Sequence, residues 1–505
     1  MTKNKVKDLF SSLNEDKSSL GIPIKLIKIA AEPLAVPFTS IYNESIKTGI
    51  VPDIFKLSRV TPIYKSGEQT DPNNYRPIST LSPFTKVFEK IIYAQLNSFC
   101  TKNSILYKYQ FGFRKGHSTE QAILEITDHI KANIENKLIT CGLFLDFSKA
   151  FDTVNHDILI EKLNKYGIRG IAQQWFSSYL NNRKQFVTMN GIDSSPLLVK
   201  CGVPQGSTLG PLLFLLYIND MPNASSKLLF RIFADDTNIF FAADNEKLVE
   251  STMNEELKLV YRYCAVNKLS INMKKTNYMI ISNKKLKPTV HIKDIEYKSI
   301  IKYLGIYLDD KLNWNMQIKH VNNKIAKNIG IIYKLRNYFK LRMLRQLYYN
   351  LIFPYITYGL LSWGNTYKSK LTKIYTKQNK AIRTIFFAKS RENADIYYNI
   401  LDILNLENVF KLKSACLIYR ICNSPSDLPE AFSNYVVQAS HKHQYNTRFA
   451  SQNNLYRPKI RTNFGKHTFR YSASIIWETI PLNIKQSNSI SSFKKIYKNY
   501  LLYNR

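Results

Sequence analysis

The sequence predicts an α+β fold, and three observations support this prediction. Short apolar runs, such as CGLFLDF at 141–147 and TNYMIIS at 276–282, have the length and composition of strands. Longer amphipathic stretches, such as TEQAILEITDHIKANIEN at 119–136, have the spacing of helices. From Trp314 onward the pattern is helical and strongly basic. We therefore expect a sheet with helices on one face, followed by a helical region.

Changes in composition divide the chain into five segments. Residues 1–56 have a helical pattern, and residues 57–140 alternate β-type runs with helical ones. Residues 141–310 hold most of the β-type runs, residues 311–392 form the basic helical stretch, and residues 393–505 mix helices with polar loops. A chain of 505 residues has room for two or three domains.

The charge of the chain indicates a polyanionic partner. Lys and Arg number 72 against 37 Asp and Glu, which gives a net charge of +35. Residues 311–505 alone contain 32 basic and 7 acidic residues, and no acidic residue lies between Asn313 and Arg391. A solvated helix face would mix both signs, so this stretch predicts a surface that binds phosphates.

The cysteines and the lack of a signal sequence predict that the protein lies inside the cell. The six cysteines are scattered and several lie in apolar runs, which is typical of a reducing compartment. The N-terminal residues MTKNKVKDLF lack an apolar signal core, and no apolar run is long enough to span a membrane. We expect an intracellular protein, nuclear or cytoplasmic, that does not bind in a membrane.

Three aspartates are candidates for a metal site. Asp146 ends the apolar strand GLFLDF, and Asp235 and Asp236 lie between two β-type runs in RIFADDTNIFFAA. An Asp pair at a hairpin is often only a polar turn. Together with Asp146 it predicts an all-oxygen site, and such a site suits Mg²⁺.

Five motifs occur in a fixed order: FLDFSKAFD, GVPQGSTLGPLLFLLYIND, FADD, INMKKT and YLGIYLDD. This order resembles the reverse transcriptase domain of non-long-terminal-repeat retrotransposons, in particular the jockey-like and related groups. The upstream segments VTPIYKSGEQTDPNNYRPISTLSPFTKVFEK and YQFGFRKGHST are similar to the finger motifs of that family. The resemblance covers about residues 20–390, and ordered motifs over that length are a specific signal.

The resemblance implies a right-hand polymerase fold. In it, residues 57–140 are fingers, residues 141–310 a palm of antiparallel sheet plus helices with interleaved finger elements, and residues 311–392 a helical thumb. Residues 1–56 are an N-terminal extension, and residues 393–505 are similar to C-terminal segments of the family.

The resemblance also implies an activity, RNA-directed DNA polymerisation. The partners would be an RNA template, a DNA primer and dNTPs. The cofactor would be two Mg²⁺ ions, with Mn²⁺ as an alternative, acting in an in-line displacement by the primer 3′-OH.

By the same resemblance Asp146, Asp235 and Asp236 form the catalytic triad. Asp146 and Asp235 would be direct metal ligands, with the backbone carbonyl of Phe147 as an additional one. Asp236 is either a ligand or a supporting charge.

Further residues would bind the incoming nucleotide. Phe151 matches an aromatic gate against the ribose 2′-OH, with an ordinary core phenylalanine as the alternative. Gln205 would touch the nucleotide near its sugar, and Gly206 would allow the backbone to approach. Asp152 is interpreted as an N-cap of the next helix and is left out of the catalytic set.

Cations would hold the triphosphate. Lys65 and Arg76 match that role in the fingers, and Arg114 is a third candidate that would otherwise contact template. Lys275 is interpreted either as a general acid for the departing pyrophosphate or as a solvated lysine.

The segment KYLGIYLDD resembles a primer-grip hairpin, in which Tyr303, Leu304 and Gly305 would lie against the primer end. Asp309 and Asp310 are expected to cap the next helix or to lie in a turn. The basic stretch 319–391 would grip the RNA:DNA duplex through its backbone.

Two other functions stay open. A group II intron-like maturase shares the fold, and a non-catalytic domesticated copy would keep only the nucleic-acid-binding surface. The long resemblance outside the palm and the intact aspartates favour an active retrotransposon enzyme. We find no nuclease region in the sequence, and we therefore expect a partial product without endonuclease activity that extends ends supplied to it.

Overall fold

Strands and helices alternate up to residue 309, and helices follow. The computed structural model describes residues 1–15, 22–284, 290–442 and 447–503. The N-terminal elements are α1 (Lys3–Ser11), α2 (Ile24–Ile29), α3 (Ala31–Thr48), β1 (Leu57–Tyr64), β2 (Tyr75–Leu81), α4 (Pro83–Lys102) and α5 (Thr119–Glu135). The middle elements are β3 (Ile139–Leu145), α6 (His156–Lys165), α7 (Ile171–Leu180), β4 (Lys184–Met189), β5 (Ile192–Asp193), β6 (Leu197–Leu198), α8 (Gly210–Ile218), β7 (Leu229–Phe233), β8 (Asp236–Ala243), α9 (Glu246–Val266), β9 (Asn277–Ile281), β10 (Glu296–Tyr297), β11 (Ile300–Tyr303) and β12 (Ile306–Asp309).

The C-terminal elements are helices. They are α10 (Asn315–Leu335), α11 (Leu341–Leu351), α12 (Phe353–Thr357), α13 (Leu360–Trp363), α14 (Lys368–Ile385), α15 (Asp395–Ile400), α16 (Leu406–Asn423), α17 (Arg448–Ser451), α18 (Asn463–Lys466), α19 (Phe469–Glu478), α20 (Leu482–Lys485) and α21 (Ile490–Tyr503). Short 3-10 helices lie at Asp53–Lys56, Pro72–Asn74, Met221–Ala224, Pro425–Asp427, Glu430–Phe432 and Ala439–His441.

The central sheet has the strand order β10-β9-β3-β8-β7. Its four main strands, β9, β3, β8 and β7, pair in antiparallel fashion, and the short β10 joins β9 in parallel. The predicted α+β class and its antiparallel sheet are confirmed. Strand β3 lies in the middle, and every residue of it is buried.

Helices cover both faces of the central sheet, so the expectation of helices on one face was wrong. Leu143 and Leu145 of β3 point into a core shared with α9, whereas Phe144 points into a core shared with α5. Side chains alternate between the faces of a strand, so these two cores lie on opposite sides. A continuous apolar run such as GLFL is what a strand buried on both faces requires.

A second sheet contains β1, β2, β4, β5 and β6. Strand β1 pairs antiparallel with β2 and parallel with β4, so the predicted strand QFVTMNG joins this sheet and not the central one. The N-terminal helices pack beside it on α4, where Phe38 stacks on Phe84 with ring centroids 4.3 Å apart.

The C-terminal segment is attached to α5 through buried charged residues. The Asp128 carboxylate accepts hydrogen bonds from the Phe469 N–H (2.7 Å) and the Tyr435 hydroxyl (2.9 Å). One turn later, Lys131 donates to the His467 carbonyl (2.8 Å), and burial lowers the pKa of this lysine to about 8. Within the described ranges no helix has the length and apolarity needed to cross a membrane.

Candidate active site

The acidic hairpin has a tight turn at its tip. Phe233 of β7 pairs with Asp236 of β8, so Ala234 and Asp235 form a two-residue turn. The hairpin predicted from the sequence is therefore confirmed. Ala234 has φ 57°, in the left-handed region, which costs an alanine about 1–2 kcal/mol. The surrounding structure must hold this turn in place.

The third aspartate lies at the same end of the sheet. Strand β3 pairs with β8 up to Leu145, opposite Thr237. Asp146 is the next residue along, and the same register places it opposite Asp236. The pairing of β3 with β8 therefore brings the three predicted carboxylates together at one end of the central sheet.

The 270–276 loop fixes the backbone of Asp146. The Asp146 N–H donates to Thr276 Oγ1 (3.3 Å), and the Asp146 carbonyl accepts from the Asn272 N–H (2.7 Å). Lys275, in the same loop, has its Nζ 3.8 Å from Asp146 Oδ2 and is more than half exposed. The loop also pairs with Phe147, whose ring is buried and whose predicted role as a carbonyl ligand stays a prediction.

Burial and mutual repulsion disfavour ionisation of these carboxylates. Desolvation, with repulsion from Asp235 and Asp146, raises the pKa of Asp236 to about 6. Desolvation and Asp146 also raise the pKa of Asp235, while Arg76 and Lys65 act in the opposite direction. A bound cation would therefore favour the ionised form of the cluster.

The donor set fits a hard divalent cation. All three side chains offer carboxylate oxygens, the ligands that Mg²⁺ prefers. In the part of the chain that the structure describes, no three such side chains are close enough to hold an ion on their own. A protein Mg²⁺ site usually takes a few carboxylates and is completed by water and substrate phosphates.

Two cations of the second sheet face the carboxylates. Arg76 of β2 pairs with Ile63 of β1, and the Lys65 N–H donates to the Asn74 carbonyl (2.9 Å), so both cations belong to one hairpin. Both side chains are exposed, and their charges act on the pKa of Asp235. Their binding of a triphosphate stays a prediction.

Phe151 is a half-buried ring in an aromatic group. It stacks on Phe214 with ring centroids 4.4 Å apart and meets Phe113 edge-on at 6.0 Å. Phe113 is itself half exposed and has φ 53°. The Phe151 ring therefore has one side fixed by the core and is not enclosed by it, as a gate requires.

The GVPQG loop is anchored by Asp152. Gln205 Nε2 donates to Asp152 Oδ1 (2.8 Å), whereas helix α6 is capped by Asn155, so the interpretation of Asp152 as the cap was wrong. Gly206 has φ 118°, and a Cβ there would lie 2.6 Å from the Ser79 carbonyl oxygen of β2. Glycine is thus required for contact with β2, and its contact with a nucleotide stays a prediction.

Arg114 is turned toward the protein. Its Nη1 donates to the carbonyls of Tyr107 (3.0 Å) and Gln110 (3.2 Å), and burial lowers its pKa. These bonds occupy one nitrogen of the guanidinium. Its role toward triphosphate or template is not tested by this placement.

The predicted primer-grip hairpin is formed by β11 and β12. Leu304 (φ 42°) and Gly305 (φ 88°) make its turn, which agrees with the predicted hairpin. The Tyr303 ring is buried and packs near Phe144 at 5.9 Å, so it belongs to the core and only the turn residues reach outward. Asp309 accepts from the Asn313 and Trp314 N–H groups (2.7 Å each), both before α10 begins, so of its two predicted roles it takes the one in a turn and does not cap the helix.

Comparison with known proteins decides the family of the chain. Residues 63–308 match the family described as reverse transcriptase (RNA-dependent DNA polymerase). This range contains the acidic hairpin, Asp146 and the two-sheet framework around them. The chain carries a reverse transcriptase domain.

Relatives of this chain include proteins from mobile elements of Drosophila. A probable RNA-directed DNA polymerase from transposon BS of Drosophila melanogaster is 32% identical over 369 residues, which cover 68% of this chain and 40% of that protein. The RNA-directed DNA polymerase from mobile element jockey of the same species is 30% identical over 363 residues, 68% of this chain and 39% of that protein. The resemblance to jockey-like elements is confirmed. The chain spans about two fifths of the length of these relatives.

A solved structure of telomerase from Candida albicans is also similar to this chain. It is 12% identical, with a TM-score of 0.45, and the match covers 73% of this chain and 70% of that one. Reverse transcriptases generally use divalent metal ions, in agreement with the all-oxygen donor set.

The basic stretch of the chain forms helices α10, α11 and α14, and α10 packs along α14. Its exposed cations include Lys319, Lys324, Lys327, Lys334, Arg342, Lys373 and Lys380. Among the aromatic residues of the stretch, Tyr348 and Trp363 are fully buried and form core. Tyr333, Tyr338 and Phe387 are among its exposed rings, which are available to a ligand.

Sequence reasoning missed several residues of the site. Asp152 was interpreted as a cap, and Phe113 and Gln110 were not singled out. Glu89 of α4 is buried and accepts from the Thr208 N–H (2.7 Å), which fixes the end of the GVPQGST loop. The only signal in the sequence was a polar residue within an apolar stretch, as at Glu89 and Gln110.

Proposed function

We propose that this chain is an RNA-directed DNA polymerase that extends a primer 3′-OH on an RNA template. The observation that carries the proposal is the convergence of Asp146, Asp235 and Asp236 at one end of the central sheet, with raised pKa values for Asp235 and Asp236. Clustered carboxylates whose ionised form a cation would favour, facing two exposed cations, suit a reaction on a metal-bound nucleotide.

Asp146 and Asp235, with the Phe147 carbonyl and Asp236, would hold two Mg²⁺ ions, or Mn²⁺ in their place. Bound divalent ions supply the Lewis acidity that activates a 3′-OH and offsets the charge of the leaving pyrophosphate. The hydrogen bonds from Thr276 and Asn272 keep the backbone of Asp146 in one position.

Other side chains of the site bind and orient the dNTP. Lys65 and Arg76 bind the triphosphate. Both are exposed cations, and the charge of each lowers the pKa of Asp235, so both act close to the carboxylates. Phe151 excludes a 2′-OH, and Gln205, held by Asp152, lies against the sugar. Lys275 protonates the pyrophosphate or neutralises Asp146, which lies 3.8 Å away.

The exposed cations of α10, α11 and α14 bind the phosphates of the RNA:DNA duplex. Their helices lack acidic residues, so nothing within the stretch neutralises them. Residues 311–392 then act as the thumb, residues 57–140 with β4 as fingers, and the central sheet as the palm.

Primer extension tests the proposal. Purified protein is given poly(rA)·oligo(dT), dTTP and Mg²⁺, and Asp235→Asn is compared with Asp244→Asn. Asp244 is an exposed aspartate just beyond the other end of β8, so it controls for loss of one charge. We expect Asp235→Asn to abolish extension and to keep duplex affinity, while Asp244→Asn behaves as wild type.

Near-normal extension by Asp235→Asn would contradict the assigned centre. Duplex binding without extension by the wild-type chain would instead indicate the non-catalytic copy. We also propose that the chain extends only supplied ends. With plasmid substrates, product is expected from nicked DNA and none from intact supercoiled DNA.

A further inference from the structure

Residues 109–113 lie along the outer edge of the acidic hairpin. Strand β7 is the last strand of the central sheet, and Gln110 forms a parallel bridge with Ile232 of β7. The Ile232 N–H donates to the Tyr109 carbonyl (3.0 Å), and the Phe111 N–H donates to the Ile232 carbonyl (2.8 Å). The segment therefore pairs with the edge strand β7 at Ile232, two residues before the Ala234–Asp235 turn.

The Gln110 side chain reaches from this edge into the turn. Its Oε1 accepts from the Ala234 N–H (3.0 Å) and from the Gly112 N–H (2.8 Å). Gln110 is 2% exposed, so water does not compete for these bonds. A buried N–H without an acceptor is costly, and here a single amide oxygen satisfies two of them.

The turn needs such support because of its backbone conformation. Ala234 has φ 57°, a region that alanine adopts only when its surroundings impose it. Gly112 packs directly on it, since a Cβ at Gly112 would lie 2.2 Å from the Ala234 nitrogen. Gln110 and Gly112 thus hold the residue that immediately precedes Asp235.

We propose that Gln110 is a positioning residue of the polymerase centre, which sets the Asp235 carboxylate for metal binding through the Ala234 N–H. Gln110 does not touch nucleotide or metal. The inference rests on the proposed function for its effect on turnover, but its effects on the turn and on metal binding can be measured without turnover.

The test uses Gln110→Met, which keeps the length and removes the acceptor oxygen. Hydrogen–deuterium exchange of peptides that contain Ala234 is expected to become faster. Mn²⁺ affinity, measured by electron paramagnetic resonance, is expected to fall about tenfold, as for other residues that orient metal ligands. We expect kcat to fall about 10- to 100-fold, with the KM for dTTP and the duplex affinity nearly unchanged.

Gln378→Met is the matched control. Gln378 is also fully buried, and its Oε1 also accepts a backbone N–H, that of Leu406 (2.8 Å), but it lies in α14. This variant is expected to lose stability and to keep wild-type Mn²⁺ affinity and exchange at Ala234. An effect of general destabilisation would appear in both variants.

Gln110→Glu is the conservative variant, and it serves if Gln110→Met does not fold. Burial keeps a glutamic acid at this position protonated, so its carbonyl oxygen still accepts both bonds. Protection of Ala234 and Mn²⁺ affinity are expected to stay within about threefold of wild type, since the acceptor remains. The inference is overturned if Gln110→Met exchanges faster at Ala234 but binds Mn²⁺ as tightly as the wild type. It is also overturned if Gln110→Glu and Gln378→Met lose as much Mn²⁺ affinity as Gln110→Met. A wild-type chain that binds Mn²⁺ through this turn but never extends a primer would refute only the proposed function.

Discussion

Replacing Asp236 by asparagine is expected to stabilise the metal-free protein while it impairs the enzyme. The pKa of Asp236 is raised from 3.8 to about 6, so its ionised form is disfavoured in the folded state. The full difference corresponds to about 3 kcal/mol at neutral pH. Asp236 is exposed to solvent, which screens the charge, so we expect a gain of about 1 kcal/mol in the free energy of unfolding.

The gain in the free energy of unfolding is expected to appear as pH rises. Well below the ordinary pKa of 3.8 the carboxyl is protonated in both folded and unfolded chains, and Asp236→Asn should have no effect. As pH rises from 4 to 6 only the unfolded chain ionises, which lowers the stability of the wild type. Above pH 6 the difference is constant.

Urea denaturation in EDTA at pH 4 and pH 8, followed by circular dichroism, measures this difference. With a denaturant slope of about 4 kcal/mol per molar, the midpoint should rise by about 0.25 M at pH 8 and by much less at pH 4. Mg²⁺ should reduce the difference, because it binds the folded wild type more tightly. An equal gain at both pH values, or none at pH 8 beside an unchanged Asp244→Asn control, would refute the reasoning.

Two further results are expected. Phe151→Val should raise the use of rNTPs relative to dNTPs by about tenfold or more, because a smaller side chain leaves room for the 2′-OH. Single-nucleotide extension measures this ratio. An unchanged ratio would make Phe151 a core residue. Affinity for an RNA:DNA duplex should fall about 10³-fold between about 50 and 200 mM salt if six phosphates are neutralised, as fluorescence anisotropy would show. A flat response would contradict a duplex grip by α10, α11 and α14.

Local features of the fold were readable from the sequence. The apolar runs around Asp146 and Asp235 predicted a strand and a hairpin, and both are present. Ser118, a residue type favoured at helix N-termini, stands directly before α5 and caps it, since its hydroxyl accepts from the Gln121 N–H (3.3 Å). Each of these signals lies within a few residues of its effect.

Features that depend on distant parts of the chain were not readable. Asp152 holds Gln205, 53 residues away, and the helix cap that it appeared to supply belongs to Asn155. The burial of Tyr303 depends on Phe144, which lies in another strand. Nothing in the local pattern distinguishes a ring that faces a ligand from one that faces a neighbouring strand.

The bonds between α5 and the C-terminal segment limit how this chain can be shortened. A polypeptide ending near residue 392 would lack the Phe469 N–H, the Tyr435 hydroxyl and the His467 carbonyl that bond Asp128 and Lys131, and would uncover the face of α5 that carries them. Both these hydrogen bonds and the packing beside them would be lost. Removal of the C-terminal segment is therefore expected to destabilise α5 and, with it, the central sheet on which α5 packs.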